Sequence, residues 1–317
     1  MQNFFKIAAN TFKESVREPI FSLLLLCAVL LIANFPFVSI FVFYDQVKLV
    51  VDSSMATTML FGLFAAVLCA SHTVSREMRD GTVLLLFSKP IHRATFILGK
   101  IAGIMVASLL FVLVCNAASV VALYIAIDPF RVDFMLYYIL LGLLVLSAVL
   151  GMIFNFARGS SFPSIFTFAM SVALPLMAVA VMIFKEIPPE IVRRDFLLAI
   201  TLLFFAVAAM ATLSVVFATR LNIVANLCVS TVLFVLGLMS SYLFQPEAGS
   251  MSVFKSICYA LLPNWQMFWL ADALATRKTI PLEYIGYAAL YVVLYVGLCS
   301  MWAVLVFQDK EIAKDSR

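Results

Sequence analysis

Charge is what this sequence has least of. Asp, Glu, Lys and Arg make up 12% of its 317 residues, against about a quarter in soluble domains. With 65% of residues apolar and a mean hydropathy of +1.11, a soluble globule could not hide its apolar surface. That excludes a soluble enzyme and a disordered chain. The net charge of +4 supplies no broad basic face, so no nucleic-acid partner is expected. Histidine is nearly missing, with only His72 and His92. Of the cysteines, Cys27, Cys69, Cys115, Cys228 and Cys299 lie in apolar runs, and Cys258 lies in a more polar stretch. None is spaced as a metal clip or a disulfide framework. There is no HExxH, no GxSxG and no P-loop: Gly99-Lys100 is followed by Ile101, and the residue five before Gly99 is Ala94. No catalytic residue, cofactor or metal is therefore expected on this chain, and the chain is not read as an enzyme.

Long charge-free runs are what it has in plenty. Eight stand out: 19–44, 53–75, 101–127, 134–157, 159–184, 196–219, 221–246 and 284–308. A helix needs about 20 residues to cross the hydrocarbon, and a charge at its centre is costly. The runs predict an all-α polytopic membrane protein with about eight transmembrane helices in a domain over 19–308. Very short breaks at Arg158–Ser161 and Arg220–Asn222 predict tight hairpins.

Ahead of the first run, residues 1–18 read as a cytoplasmic amphipathic helix. Phe4, Phe5, Ala8, Phe12 and Val16 recur at helical spacing, with Lys6, Lys13 and Arg17 on the other side. Such a helix suits a membrane surface, its basic face drawn to anionic lipid. A cleavable signal is not expected, since the first apolar run exceeds a signal core.

Lys and Arg set orientation. With the N-terminus in the cytoplasm, 13 of the 21 basic residues fall inside and 8 outside. An even number of spans then also places the tail, 309–317, in the cytoplasm.

The spans are polar only through groups such as Asn34, Asn116, Asn155 and Asn226, which read first as hydrogen-bonding glue between helices. An ion-coupled carrier would keep charges at the midplane, and their absence disfavours one. A shorter run, 256–271 within the outer segment 245–282, holds Pro263, Asn264, Trp265 and Trp269. It is too short to span and reads as interfacial or re-entrant, with Trp at headgroup level, or equally as a helix on the outer surface. Its position makes it the candidate outer gate.

The most informative segment is 75–100, SREMRDGTVLLLFSKPIHRATFILGK. Arg76, Glu77, Arg79 and Asp80 form a charged exit from the second run. Gly81 can break the helix and Thr82 can cap a new one. A short apolar helix follows, with Leu84, Leu85 and Phe87, and Lys89-Pro90 stops it before Arg93. A short apolar helix outside the bilayer needs a partner groove or the membrane interface itself.

The pattern E-x-x-x-G-T-x-x-L-L-x-S-K-P-I-x-R-x-x-x-x-x-G-K, from Glu77 to Lys100, resembles the loop between the second and third spans of ABC-2 type transporter permeases. The closest subgroup resembles permeases of multicopper-enzyme and nitrous-oxide-reductase maturation. The N-terminal helix is similar to that family's elbow helix. Thr219-Arg220-Leu221, Leu262-Pro263-Asn264 and the exit from Phe307 to Ile312 are similar as well. The family commonly has six spans, and the extra pair falls within 164–244. The resemblance implies a type V exporter-like architecture in the bacterial cytoplasmic (inner) membrane. It implies an ABC-type ATPase subunit that uses ATP and Mg, and a second permease chain, identical or different. It also implies a coupling helix in which Leu84, Leu85 and Phe87 fill a groove while Glu77, Arg79, Lys89 and Arg93 fix register. The rival reading is a membrane scaffold or assembly factor for an envelope complex, without transport.

Overall fold

The computed structural model describes residues 2–39, 42, 46–77, 92–126, 132–185, 193–244, 259, 262–275 and 279–315, with the backbone alone for 193, 244, 275 and 308–315. Among them there are eleven α-helices and no strand. They are α1 (Gln2–Arg17), α2 (Pro19–Ser39), α3 (Gln46–Ala70), α4 (Arg93–Ile125), α5 (Phe134–Arg158) and α6 (Phe162–Phe184), then α7 (Arg193–Ala218), α8 (Ile223–Leu238), α9 (Ser240–Phe244), α10 (Ala271–Ala275) and α11 (Leu282–Asp315). Seven are long and apolar enough to cross a bilayer: α2 to α7, and α11. The chain is an all-α, multi-pass membrane protein.

The bundle is built around α3, α4 and α7. In the most apolar stretch of α4 and of α7, 72% of residues are buried, against 22% in α5 and α11. The central helices are rich in small residues, which lets backbones approach. Gly62 of α3 is pressed against Val207 of α7 and Val112 of α4, and a methyl group there would come within 2.9 Å of Val207. Asn116 of α4, buried, donates to the Ile200 carbonyl of α7 at 2.9 Å. Outside the centre, α2 packs on α3 and α4, α6 on α4, and α11 on α7 and α4. Helix α5 pairs mainly with α6 and exposes Met135, Tyr138, Leu146, Met152 and Phe156, as a lipid-facing helix does.

Both expected hairpins are tight. Between α5 and α6, Gly159 adopts φ 64°, the left-handed conformation that closes a helix without a Cβ penalty. Its N–H donates to the Asn155 carbonyl at 3.0 Å. Asp133 caps the other end of α5, accepting from Leu136 N at 3.1 Å, and pairs with Lys185 just beyond α6. Between α7 and α8, Asn222 caps α8 by accepting from Ala225 N at 2.8 Å.

The seventh run, 221–246, differs from a single span. It is divided at Met239 into α8, of 16 residues, and α9, of 5. The cause is partly local and partly tertiary. Ser240 Oγ takes the Gly237 carbonyl at 2.9 Å, and Gln266 Nε2 takes the Leu238 carbonyl at 2.9 Å. These carbonyls therefore have partners outside the helical ladder.

Candidate functional site

Seven charged residues (Lys13, Glu14, Arg17, Glu18, Arg76, Glu77 and Lys100) converge where α1, the end of α3 and the start of α4 meet. Helix α4 begins at Arg93, so Lys100 stands two turns inside it. Its side chain is only 4% exposed. Lys100 Nζ donates to Glu77 Oε1 at 2.8 Å, to Glu14 Oε2 at 3.5 Å and to the Thr73 carbonyl at 3.4 Å. One buried cation thus joins α1, the exit of α3 and α4. A buried charge persists only when paired and hydrogen-bonded, and here two carboxylates and a carbonyl supply that. Burial pushes the Glu77 carboxyl above its ordinary range, against the pull of Lys100.

Helix α1 is seated by glycine. Gly99 and Gly103 stand one turn apart on α4 and face α1. A methyl group on Gly103 would lie 2.6 Å from the Ala8 carbonyl oxygen and 2.6 Å from Thr11 Cβ, and one on Gly99 would lie 2.8 Å from Ile7 Cγ2. Thr11, Ser15 and Val16 are buried in the contact, while Phe5 stays exposed. The amphipathic helix therefore has a third, small-residue face against the bundle in addition to its apolar and basic ones. A further polar contact, His72 Nδ1 to Glu18 Oε1 at 3.2 Å, ties the start of α2 to the end of α3.

The end of α3 is wound as a π-helix over Ser71–Ser75, a form concentrated at functional sites. Polar contacts hold it. Asn226 of α8, fully buried, donates to Ser71 Oγ at 2.8 Å and to the Ser214 carbonyl at 3.2 Å, and accepts from Ser230 Oγ. Ser75 Oγ lies 2.8 Å from both the Ala218 and Leu221 carbonyls. Arg220 Nη2 donates to the Val306 carbonyl of α11 at 2.9 Å. The exit of α3 is in this way connected to α1, α4, α7 and α8.

Of the residues singled out by sequence, Glu77 lies in this cluster, Arg76 lines the cavity beside it, and Arg93 is exposed at the start of α4. Arg79, Asp80, Gly81, Thr82, Leu84, Leu85, Phe87, Lys89 and Pro90 lie outside the described residues. Lys100 was legible only as a charge leading into a span. Its signal was its position: seven residues after Arg93 and followed by an unbroken apolar run, it stands inside the helix.

At the other end of the bundle, Trp265–Phe268 forms a 3-10 turn. Asn264 caps it, accepting from Gln266 N at 3.1 Å and donating to Ser241 Oγ at 3.0 Å and Tyr259 Oη at 3.2 Å. Pro263 is buried and Trp269 is half-buried. Trp265 is packed into the bundle. It is 1% exposed and packs beside Met59 and Leu63 of α3, Val207 and Met210 of α7, and Phe234 of α8. Met59 and Val207 lie near the middle of their helices, so the ring reaches well inside the bundle. It can do so because Gly237 leaves room: a methyl group there would overlap the indole and the Pro263 carbonyl.

Residues 1–193 match the family model described as ABC-2 family transporter protein. A comparison with curated proteins returns no match.

Proposed function

Because the chain belongs to the ABC-2 family of transporter proteins, a family of membrane components of ABC transporters, we propose that it is the permease subunit of an exporter driven by a separate ABC-type ATPase. ATP and Mg belong to that partner. Two permease chains, identical or different, form the conduit in a bacterial cytoplasmic membrane, and both termini lie in the cytoplasm, with α8 and α9 together making the eighth crossing between the Ser71 and Trp265 ends of the bundle. Nucleotide binding moves the ATPase, and segment 75–100 passes that movement to the helices. Leu84, Leu85 and Phe87 seat in the ATPase, and Arg79, Lys89 and Arg93 fix register. Trp265 and its neighbours form the gate at the outer end.

The observation that carries the reading is Lys100. Segment 75–100 leaves α3 beside Glu77 and returns in α4 at Lys100, and these two residues are bonded at 2.8 Å with Glu14 of α1 alongside. A push on the loop therefore reaches α1, α3 and α4 together, which a loop free at both flanks could not do. Glu77 acts here as a positioning residue rather than as a contact to the ATPase.

The test is a mild-detergent purification of the tagged chain, with co-purifying proteins identified and ATPase activity assayed. An ABC-type ATPase is expected, released by Leu85→Asp. Glu77→Ala and Gly81→Leu are expected to insert normally and lose transport. Full transport by both variants, or no ATPase under conditions that preserve other permease complexes, would favour the scaffold reading.

A further inference from the structure

A cavity of about 490 Å³ opens between α1 and the junction of α3 with α4, within the range of small-ligand sites. Its charges do not cancel locally. Lys13, Arg17, Arg76 and Lys100 line it, as do Glu14, Glu18 and Glu77. The acids are engaged: Glu77 and Glu14 hold Lys100, and Glu18 holds His72. Lys13 and Arg17 pair with no acid among the described residues. They stand four apart on α1, a spacing that puts two like charges on one face at a cost. Thr11, which is buried, borders the same cavity. The wall also holds two apolar side chains, Ile7 and Phe96.

Two cations and an apolar flank beside an amphipathic helix describe a site for an anion with an apolar extension. We infer that this cavity binds the phosphate of an anionic membrane phospholipid, with Lys13 and Arg17 on the phosphate oxygens and Ile7 against the glycerol and upper acyl carbons. Arginine suits phosphate by its planar fork of donors. The bound phosphate relieves the repulsion between Lys13 and Arg17 and fixes α1 against the Lys100 cluster. The inference rests on the proposed cytoplasmic, surface-lying placement of α1, but not on the ATPase.

The experiment uses the full chain alone in a neutral detergent, titrated with dioctanoyl phosphatidylglycerol, dioctanoyl phosphatidylcholine or inorganic phosphate, with the melting temperature as readout. The glycerol lipid is expected to raise it saturably and the choline lipid far less. Lys13→Gln with Arg17→Gln removes two exposed charges without touching the core, and should weaken binding by roughly thirtyfold, as expected for two basic residues near an anionic surface. Lys6→Gln removes one charge from the same helix outside the cavity, and should leave binding unchanged. If inorganic phosphate saturates the same site as well as the lipid does, the phosphate site stands with a soluble anion as its source. Equal weakening by Lys6→Gln and by the double variant, or no saturable response, would overturn the inference. Because no ATPase is present, failure here leaves the coupling test untouched, and the reverse also holds.

Discussion

Lys100 Nζ and Glu77 Oε1 lie 2.8 Å apart, with only 4% of the lysine side chain exposed and 23% of the glutamate. The pair closes the two flanks of segment 75–100 on each other. Removing one partner of a buried pair leaves an uncompensated charge and costs about 3–5 kcal/mol. Here Glu14 is 40% exposed, so water can reach part of the cluster, and the lower end of that range applies to Lys100→Met. Combining Lys100→Met with Glu77→Gln should recover part of the loss, because one of the two carboxylates that faced Lys100 is gone. Denaturant unfolding of the single and double variants in one detergent measures this. A loss under about 1 kcal/mol for Lys100→Met would place the pair with ordinary surface bridges.

The same pair sets a pH dependence. Burial raises the Glu77 carboxyl above its ordinary value of 4.5, with Lys100 opposing. A carboxyl whose folded-state value is raised binds its proton more tightly in the folded chain than in the unfolded one. Its contribution is therefore fully present below the unfolded value and is lost as pH rises through the folded one. The stability of the wild type should fall relative to Glu77→Gln as pH climbs from 4.5 into the raised range. The opposite slope would mean that Lys100 outweighs burial.

Asp133 behaves in the other direction. Burial alone would raise it, but the hydrogen bond and charge of Lys185 and the backbone N–H groups of Leu136 and Met135 outweigh that and hold it below its ordinary value of 3.8. Its contribution is present above 3.8 and is lost as pH falls through the lowered folded value. Asp133→Asn keeps a side-chain oxygen for Leu136 N and loses only the ion pair, so it should cost under about 1 kcal/mol. Asp133→Ala also loses the cap, worth about 1 kcal/mol more. The difference between wild type and Asp133→Asn should vanish in acid. Thermal unfolding of the three proteins at neutral and acid pH checks both statements.

The helical architecture was legible in the sequence because lipid leaves so few alternatives. Charge-free runs marked the spans, and the Gly159 and Asn222 turns fell where polar breaks were shortest. What charge counting missed has one physical cause: it treats every charge as wet. Lys100 is buried because Glu77, Glu14 and the Thr73 carbonyl replace its water, and these partners lie 23 to 86 residues away in sequence. Charge counting also started α3 too late, at residue 53 rather than Gln46: Lys48 and Asp52 lie within its first two turns, and Lys48 there is partly exposed, 4.0 Å from Asp272. The division at Met239 was hidden too, since Gly237 and Leu238 are met by residues 263–266 across a loop. The third face of α1 has a local signal, the Gly99/Gly103 spacing, but it reads as a contact only once the partner helix is known.

That spacing gives a prediction for α1. Gly103→Leu places a side chain where the Ala8 carbonyl and Thr11 now sit, and it should push α1 off the bundle without disturbing α7 or α11. Hydrogen exchange of amides 2–17 should speed up by an order of magnitude or more, as for a helix that has lost its tertiary contact, while exchange in α4 beyond Ser108 stays slow. Unchanged protection of 2–17 would mean that lipid, not the glycine face, holds the helix.

Gly237 and Trp265 supply the corresponding test at the other end of the bundle. A methyl group on Gly237 would overlap the indole and the Pro263 carbonyl, and backbone cannot yield as a flexible side chain does. Overpacking a close contact of this kind costs about 1–3 kcal/mol. Gly237→Ala should therefore move the 3-10 turn away from α8 and break the bond from Gln266 Nε2 to the Leu238 carbonyl. Trp265→Leu combined with Gly237→Ala makes room for the methyl group and should restore part of the stability, because a smaller side chain faces it. Intrinsic tryptophan fluorescence reads the first step: in a variant that keeps Trp265 but lacks Trp269 and Trp302, the emission of the buried indole should shift to the red on adding Gly237→Ala. An unshifted spectrum with lowered stability would mean that the strain is taken up by α8 itself, and that the 3-10 turn holds its place without the glycine.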